Sequence, residues 1–218
     1  MNRQKIDDLY HQLRLMYVNN DRSEQEAIKA IVNHLTTRGG DYPSLLRYLD
    51  WYGRTFLLDN IVDNLRLIQL KLNRVVDIGA GLGWLGIGLA EKFTIPYLLV
   101  DKRQYMGIDI VANIESNNGI ARIMDEISPK DTIVMSEVLH CLSDPKRVMG
   151  KLRDFTIIAI EYYPSEDFPE REEYMLSYWK QTGSLDCTRI ENLDEVFLYH
   201  NLYIHDMHPY RMIVARPK

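Results

Sequence analysis

Val75-Val76-Asp77-Ile78-Gly79-Ala80-Gly81-Leu82-Gly83-Trp84-Leu85-Gly86 is the stretch on which the reading of this chain turns. Its first four residues, apolar except for Asp77, read as a short strand buried on both faces. Glycines at 79, 81, 83 and 86 follow at once. Such a turn bends tightly and leaves its backbone bare to a ligand. The helix it feeds presents unpaired N–H groups and the positive end of its dipole at the same place.

Downstream, short apolar runs at 97–100, 108–112, 132–136 and 156–161 alternate with helical stretches. That alternation predicts a parallel sheet covered by helices on both faces. The last two runs, 195–203 and 210–216, are joined by a short turn at 205–209 with no helix between them, so they are expected to pair antiparallel. Upstream, apolar spacing predicts helices over 3–18, 23–37, 43–52 and 56–72. Ser23 and Glu26 form a capping box for the second. Gly39-Gly40 and Gly53 read as stops. The chain thus divides into a helical segment, 1–73, and a sheet domain, 74–218. The helical segment is expected to roof a pocket of the sheet domain or to make a homodimer contact.

The glycines fit two registers. Gly81, Gly83 and Gly86 match G-x-G-x-x-G, the dinucleotide fingerprint, with Asp101 twenty residues beyond Gly81. Asp77-x-Gly79-x-Gly81-x-Gly83 is the other register. The acid ahead of the glycines separates them: a pyrophosphate is repelled by it, and a ligand carrying an ammonium and a sulfonium is not. This second register resembles the first motif of the class I S-adenosylmethionine-dependent methyltransferases. The resemblance covers roughly residues 74–163, more loosely to 218. It implies a Rossmann-like α/β doubly wound sheet, mainly parallel with a C-terminal antiparallel strand pair, and S-adenosyl-L-methionine as cofactor. Asp77, Gly79, Ala80, Gly81 and Gly83 then cradle the cofactor. Asp101, ending the second run, accepts the ribose hydroxyls. Asn113, or Glu115 in its stead, meets the adenine amine. Only seven residues separate Asp101 from Asp109, too few for a full helix between strands two and three.

Ser136-Glu137-Val138-Leu139-His140-Cys141-Leu142-Ser143-Asp144-Pro145 follows the fourth run. Ligands bind beyond the carboxyl ends of strands in such sheets. The string resembles the corresponding segment of small-molecule methyltransferases, where one O-methyltransferase branch carries a general-base histidine. By that resemblance His140 removes a proton from an acceptor hydroxyl, a task its ordinary pKa of about 6.5 suits. Ser136 and Glu137 are expected near the cofactor, Glu137 at its methionine end or at the substrate. Tyr162 and Tyr163, after the fifth run, are expected to line the acceptor pocket, and Glu161 beside them is another candidate. Asp144-Pro145 reads as the start of a helix. The segment lacks the Asn/Asp-Pro-Pro-Tyr/Phe tetrapeptide of nucleobase and glutamine amino methyltransferases.

Composition bounds the alternatives. The 218 residues, 46% hydrophobic and 26% charged with a net charge of -5, describe a globular chain without the basic footprint of a nucleic-acid partner. Two cysteines make neither a disulfide framework nor a four-thiolate metal site, and fit a reducing cytoplasm. Cys141 is expected to pack. Residues 1–15 lack the apolar stretch of a signal peptide, and no run suits a membrane span. His200, His205 and His208 gather near the final turn, but strand parity points the first two to opposite faces, and no metal is expected. The expected partner is a small-molecule methyl acceptor, methylated at oxygen or a ring carbon. RNA or protein methylation, or a non-catalytic or NAD-binding role, are the competing functions.

Overall fold

The computed structural model describes residues 50, 53–105, 107–162, 192–207 and 210–218, with backbone alone at Thr55, Phe56 and Tyr162. The helices expected at 3–18 and 23–37, and nearly all of 43–52, lie outside these residues. The described residues build one seven-stranded sheet in the order β3-β2-β1-β4-β5-β7-β6. Its strands are β1 Val75–Ile78, β2 Tyr97–Asp101, β3 Ile110–Val111, β4 Thr132–Ser136, β5 Thr156–Tyr162, β6 His200–Met207 and β7 Tyr210–Pro217. Strands β1 to β5 pair parallel. β7 runs antiparallel to both β5 and β6, and lies between them. This is the Rossmann-like doubly wound sheet with the terminal antiparallel pair.

The parallel strands are apolar in nearly every position because each face of the sheet has its own core. One core joins Val75, Val134, Ile158, Ile160, Met212 and Val214 to the helices α1 (Leu58–Leu67) and α2 (Trp84–Phe93). The other joins Val76, Ile133, Met135, Ile157, Ala159 and Ile213 to α3 (Asn117–Met124) and α4 (Pro145–Lys151). Alternate residues of each strand serve opposite cores, as the two-residue period requires. In α1, Ile61 and Leu65 are fully buried against the sheet. Each such side chain contributes about 1.5–3 kcal/mol of transfer free energy.

Several boundaries differ from the sequence reading. The helix expected over 56–72 ends at Leu67, where Gln69 turns left-handed (φ 53°) and the Leu70 amide closes onto Leu65 at 2.9 Å. Gly53, read as a stop, opens a π-helical turn, Gly53–Leu57, and any side chain there would strike the Trp84 ring. β3 is only two residues long, since the Asp109 carboxylate takes the Leu99 amide at 2.8 Å where a ladder bond would otherwise extend the strand. β2 connects to β3 with no helix among the described residues. β6 begins at His200 rather than 195, because a short helix, α5 (Leu193–Val196), precedes it and buries Phe197. β6 runs on to Met207 and β7 starts at Tyr210, beyond the limits expected for the final turn, and residues 208–209, His208 among them, lie outside the described set.

β1 and α2 are held close by one contact. The Asp77 carboxylate accepts the Gly86 amide at 2.9 Å, and a Cβ on Gly86 would stand 2.6 Å from Asp77 Cβ. Gly86→Ala is therefore expected to cost about 1–3 kcal/mol in urea denaturation through overpacking. Gly150→Ala provides the contrast: its methyl would meet only Tyr199, at 3.8 Å, and that helix position should be neutral or gain up to about 1 kcal/mol.

Candidate functional site

The strand order reverses between β1 and β4: β2 and β3 extend to one side, β5 and beyond to the other. Ligand crevices form at such a switch point, beyond the carboxyl ends of the strands. Both segments that the sequence singles out meet there. Gly79 at the end of β1 faces Val138 after β4 so closely that a Cβ would lie 2.5 Å from its Cγ2.

On the β1 side, Gly79, Gly81 and Gly83 take φ of 75°, 56° and 76°, which L side chains rarely adopt. The turn is fixed by the amides of Gly79 and Ala80 on the Val100 carbonyl, at 2.8 and 3.0 Å. Asp101 completes it: Oδ2 accepts the Gly81 amide at 3.0 Å and Oδ1 the Arg103 amide at 2.8 Å. Asp77 and Asp101 are both buried. Burial, with the neighbouring Asp101 charge, pushes the Asp77 carboxyl up to about 7 against the Gly86 hydrogen bond. Two carboxylates thus share one dry turn, an arrangement suited to a cation and hostile to an anion.

On the β4 side, Ser136 ends the strand and Glu137 turns left-handed at φ 58°. A non-glycine residue there costs on the order of 1 kcal/mol and needs support. The support comes from Glu161 on β5. Its Oε1 accepts the amides of Val138 and Leu139 at 3.1 and 2.9 Å, and its Oε2 meets His140 Nδ1 at 2.6 Å. The Glu137 amide donates to the Ile160 carbonyl at 2.8 Å. The Leu139–Cys141 segment becomes a single 3₁₀ turn. His140 Nε2 lies 3.7 Å from Glu137 Oε2, so the ring stands between two carboxylates. Burial alone would push the imidazole down. The Glu161 charge, the Cys141 side chain and the Glu137 charge outweigh it and hold His140 well above the ordinary histidine value.

The structure brings Asp77, Gly79, Ala80, Gly81, Gly83, Asp101, Ser136, Glu137 and His140 to this one edge of the sheet. Asn113 lies exposed just past β3, its Oδ1 accepting the Glu115 amide at 3.0 Å. Tyr163 and the side chain of Tyr162 lie outside the described residues. Asp144 caps α4 as read, accepting the Arg147 amide at 2.9 Å. Cys141, expected to pack, is exposed, because the 3₁₀ turn directs it outward beside His140. His200 is buried with Nε2 3.2 Å from the Phe155 carbonyl oxygen, and the described residues contain no group of three or more His, Cys, Asp or Glu suited to a metal. The sequence reading missed Glu161 as the organiser of the turn. Its signal was there: a lone acid in the otherwise apolar run Ile157-Ile158-Ala159-Ile160.

No protein-family model matches the sequence, and no curated protein matches it. Among solved structures the chain is similar to an O-methyltransferase family protein from Burkholderia thailandensis, with TM-score 0.59 and 11% identity over 98% of this chain and 70% of that one. It is also similar to a candidate O-methyltransferase from Nostoc punctiforme PCC 73102, with TM-score 0.52 and 13% identity over 84% of this chain and 66% of that one. The likeness is one of fold. Among the described residues no helix is long and apolar enough to cross a membrane.

The His140 cluster has a signature in stability. A histidine whose folded pKa exceeds its unfolded value, about 6.5, contributes stability fully present below that pH and lost as pH rises through the folded value. The stability difference between the native chain and His140→Gln, measured by urea denaturation, should therefore shrink as pH climbs from about 6 towards 9.

Proposed function

We propose that this chain, whose fold is that of the class I S-adenosylmethionine-dependent methyltransferases, binds S-adenosyl-L-methionine on the glycine turn and methylates a small molecule at oxygen or a ring carbon. The observation that carries the reading is the pair of buried carboxylates, Asp77 and Asp101, at the ends of adjacent parallel strands. A dinucleotide would set its pyrophosphate against both. The amide of Gly81, a natural phosphate donor, is already given to Asp101. A cofactor with an ammonium and a sulfonium relieves the repulsion between the two acids. The residues present therefore fit S-adenosylmethionine. Asp101 would accept the ribose hydroxyls with its remaining lone pairs, and Asn113 would meet the adenine. Ser136 and Glu137 would border the methionine end.

Bound S-adenosylmethionine supplies a methyl on a sulfonium that departs as a neutral thioether, so the protein's work is alignment and, for a protonated acceptor, removal of one proton. In this reading His140 takes that proton. Glu161 at Nδ1 orients the ring, as a carboxylate orients the base of a hydrolytic triad, and Glu137 stands 3.7 Å from Nε2, the nitrogen that would take the acceptor's proton. The neutral, base-competent form appears as pH rises through the raised histidine value, so turnover on a hydroxyl acceptor should climb above neutral pH. Tyr162 and Tyr163 are proposed to flank the acceptor, an amphipathic lining for a ring. The net charge of -5 favours a small acceptor over RNA.

Calorimetric titration with S-adenosylhomocysteine and, separately, NAD tests the cofactor. Micromolar binding of the former alone is expected, weakened at least tenfold, about 1.4 kcal/mol, in Asp101→Ala. Binding of NAD alone would overturn the proposal. The pH dependence adds an independent check. Below about pH 7 Asp77 is increasingly protonated and its attraction for the ligand's ammonium fades. Affinity should rise between pH 6 and 8 in the native chain and stay level in Asp77→Asn.

A further inference from the structure

Glu115 lies in the loop between β3 and α3, where adenine recognition was one expectation for it. The fold takes its carboxylate elsewhere. Oε1 accepts the Ser143 amide at 2.7 Å and the Ser143 hydroxyl at 2.5 Å, across 28 residues of chain. The Glu115 carbonyl accepts from the Arg147 guanidinium at 2.5 Å, and its own amide donates to Asn113 Oδ1. The loop that ends β3 is thus tied to the far end of the turn carrying His140.

That turn is gripped by a carboxylate at each end. Glu161 holds the entry, at the amides of 138 and 139 and at the His140 ring. Glu115 holds the exit, at Ser143. Hydrogen bonds to a charged group are stronger than those between neutral groups, and together they offset the strain of the left-handed Glu137. Leu142 seats the turn in the core, and the Glu115 grip fixes Ser143 just beyond it, so losing Glu115 loosens the chain that follows His140 and the seat of its imidazole between Glu137 and Glu161.

We infer that Glu115 is a positioning residue for His140, fixing the exit of the 137–143 turn and thereby the place of the imidazole. The inference rests on the reading of this turn as the acceptor side of the site. The charged groups around Glu115 are Lys102, Arg147 and Asp144, and those around His140 are Glu137 and Glu161, with the Cys141 thiol. Burial works to raise the Glu115 carboxyl, and the Ser143 hydroxyl and amide overcome it, with help from Lys102. The grip therefore stays ionised through the range in which His140 titrates.

The test is an NMR pH titration of the His140 ring in the full chain, with amide hydrogen exchange of residues 138–142, in Glu115→Gln, Glu115→Ala and Ser143→Ala. Glu115→Gln removes the charge but keeps an acceptor for Ser143. Glu115→Ala removes both. Positioning predicts that Glu115→Ala moves the His140 midpoint back towards 6.5 by about half a unit more than Glu115→Gln does. It also predicts exchange of 138–142 on the order of tenfold faster. Ser143→Ala, which deletes only the hydroxyl, should lie between the native chain and Glu115→Ala. Equal midpoints in the Gln and Ala variants, or unchanged exchange, would overturn the inference. If Glu115→Ala does not fold, an unmoved midpoint in Ser143→Ala overturns it alone. Calorimetry with S-adenosylhomocysteine on the native chain runs beside these. Failure to bind there would remove the methyltransferase reading while leaving the titration result to stand or fall separately.

Discussion

The structure depends on a carboxylate placed where carboxylates are costly. Asp77 sits near the end of a strand buried on both sides and has the first turn of α2 above it, and its carboxylate accepts the Gly86 amide. From that follow the missing side chain at 86, the left-handed glycines that carry the chain around the acid, and the second acid, Asp101, which fastens the turn at Gly81. A fold that needed only a tight turn would put no acid there. Two carboxylates in one dry turn leave the ligand-free protein in a state that a cationic ligand improves and an anionic one worsens.

The sheet order turns this local constraint into a site with two halves. β1 and β2 contribute the glycine turn and its acids. β4 and β5 contribute the strained turn at Glu137, the His140 imidazole and the Glu161 carboxylate that organises both. The halves touch where Gly79 meets Val138, so the spacing between them is set by backbone and a branched side chain rather than by a flexible contact. Rigid placement of this kind is what a direct displacement asks of a protein. Charge alternates across the β4–β5 half, Glu137, His140 and Glu161, so the imidazole is oriented by groups that, with Cys141 and against burial, also raise its proton affinity.

Much of this was legible in the sequence because it is local. A glycine turn between an apolar run and a helix fixes a strand–turn–helix unit, and its leading acid distinguishes the two registers. Runs that serve two cores read as parallel strands, and β1 and β4 match their expected limits residue for residue. What sequence could not supply is contact between distant segments. Glu161 looked like a residue beside the pocket, since nothing local says that its carboxylate takes two amides and a ring nitrogen some twenty residues away. Glu115 was read as the alternative to Asn113 for the adenine amine, and nothing local says that its carboxylate takes the Ser143 amide and hydroxyl. Side chains that replace ladder bonds, as Asp109 does at Leu99, likewise shorten strands in ways that hydrophobic pattern does not record.

A crystal structure of the complex with S-adenosylhomocysteine tests the central claim most directly. The account predicts the ribose hydroxyls on the Asp101 carboxylate, the amino group on the Asp77 side of the glycine turn, and the sulfur directed towards His140. Ribose bound elsewhere, or an anionic ligand seated across Gly79–Gly83 with Asp77 displaced to admit it, would contradict it.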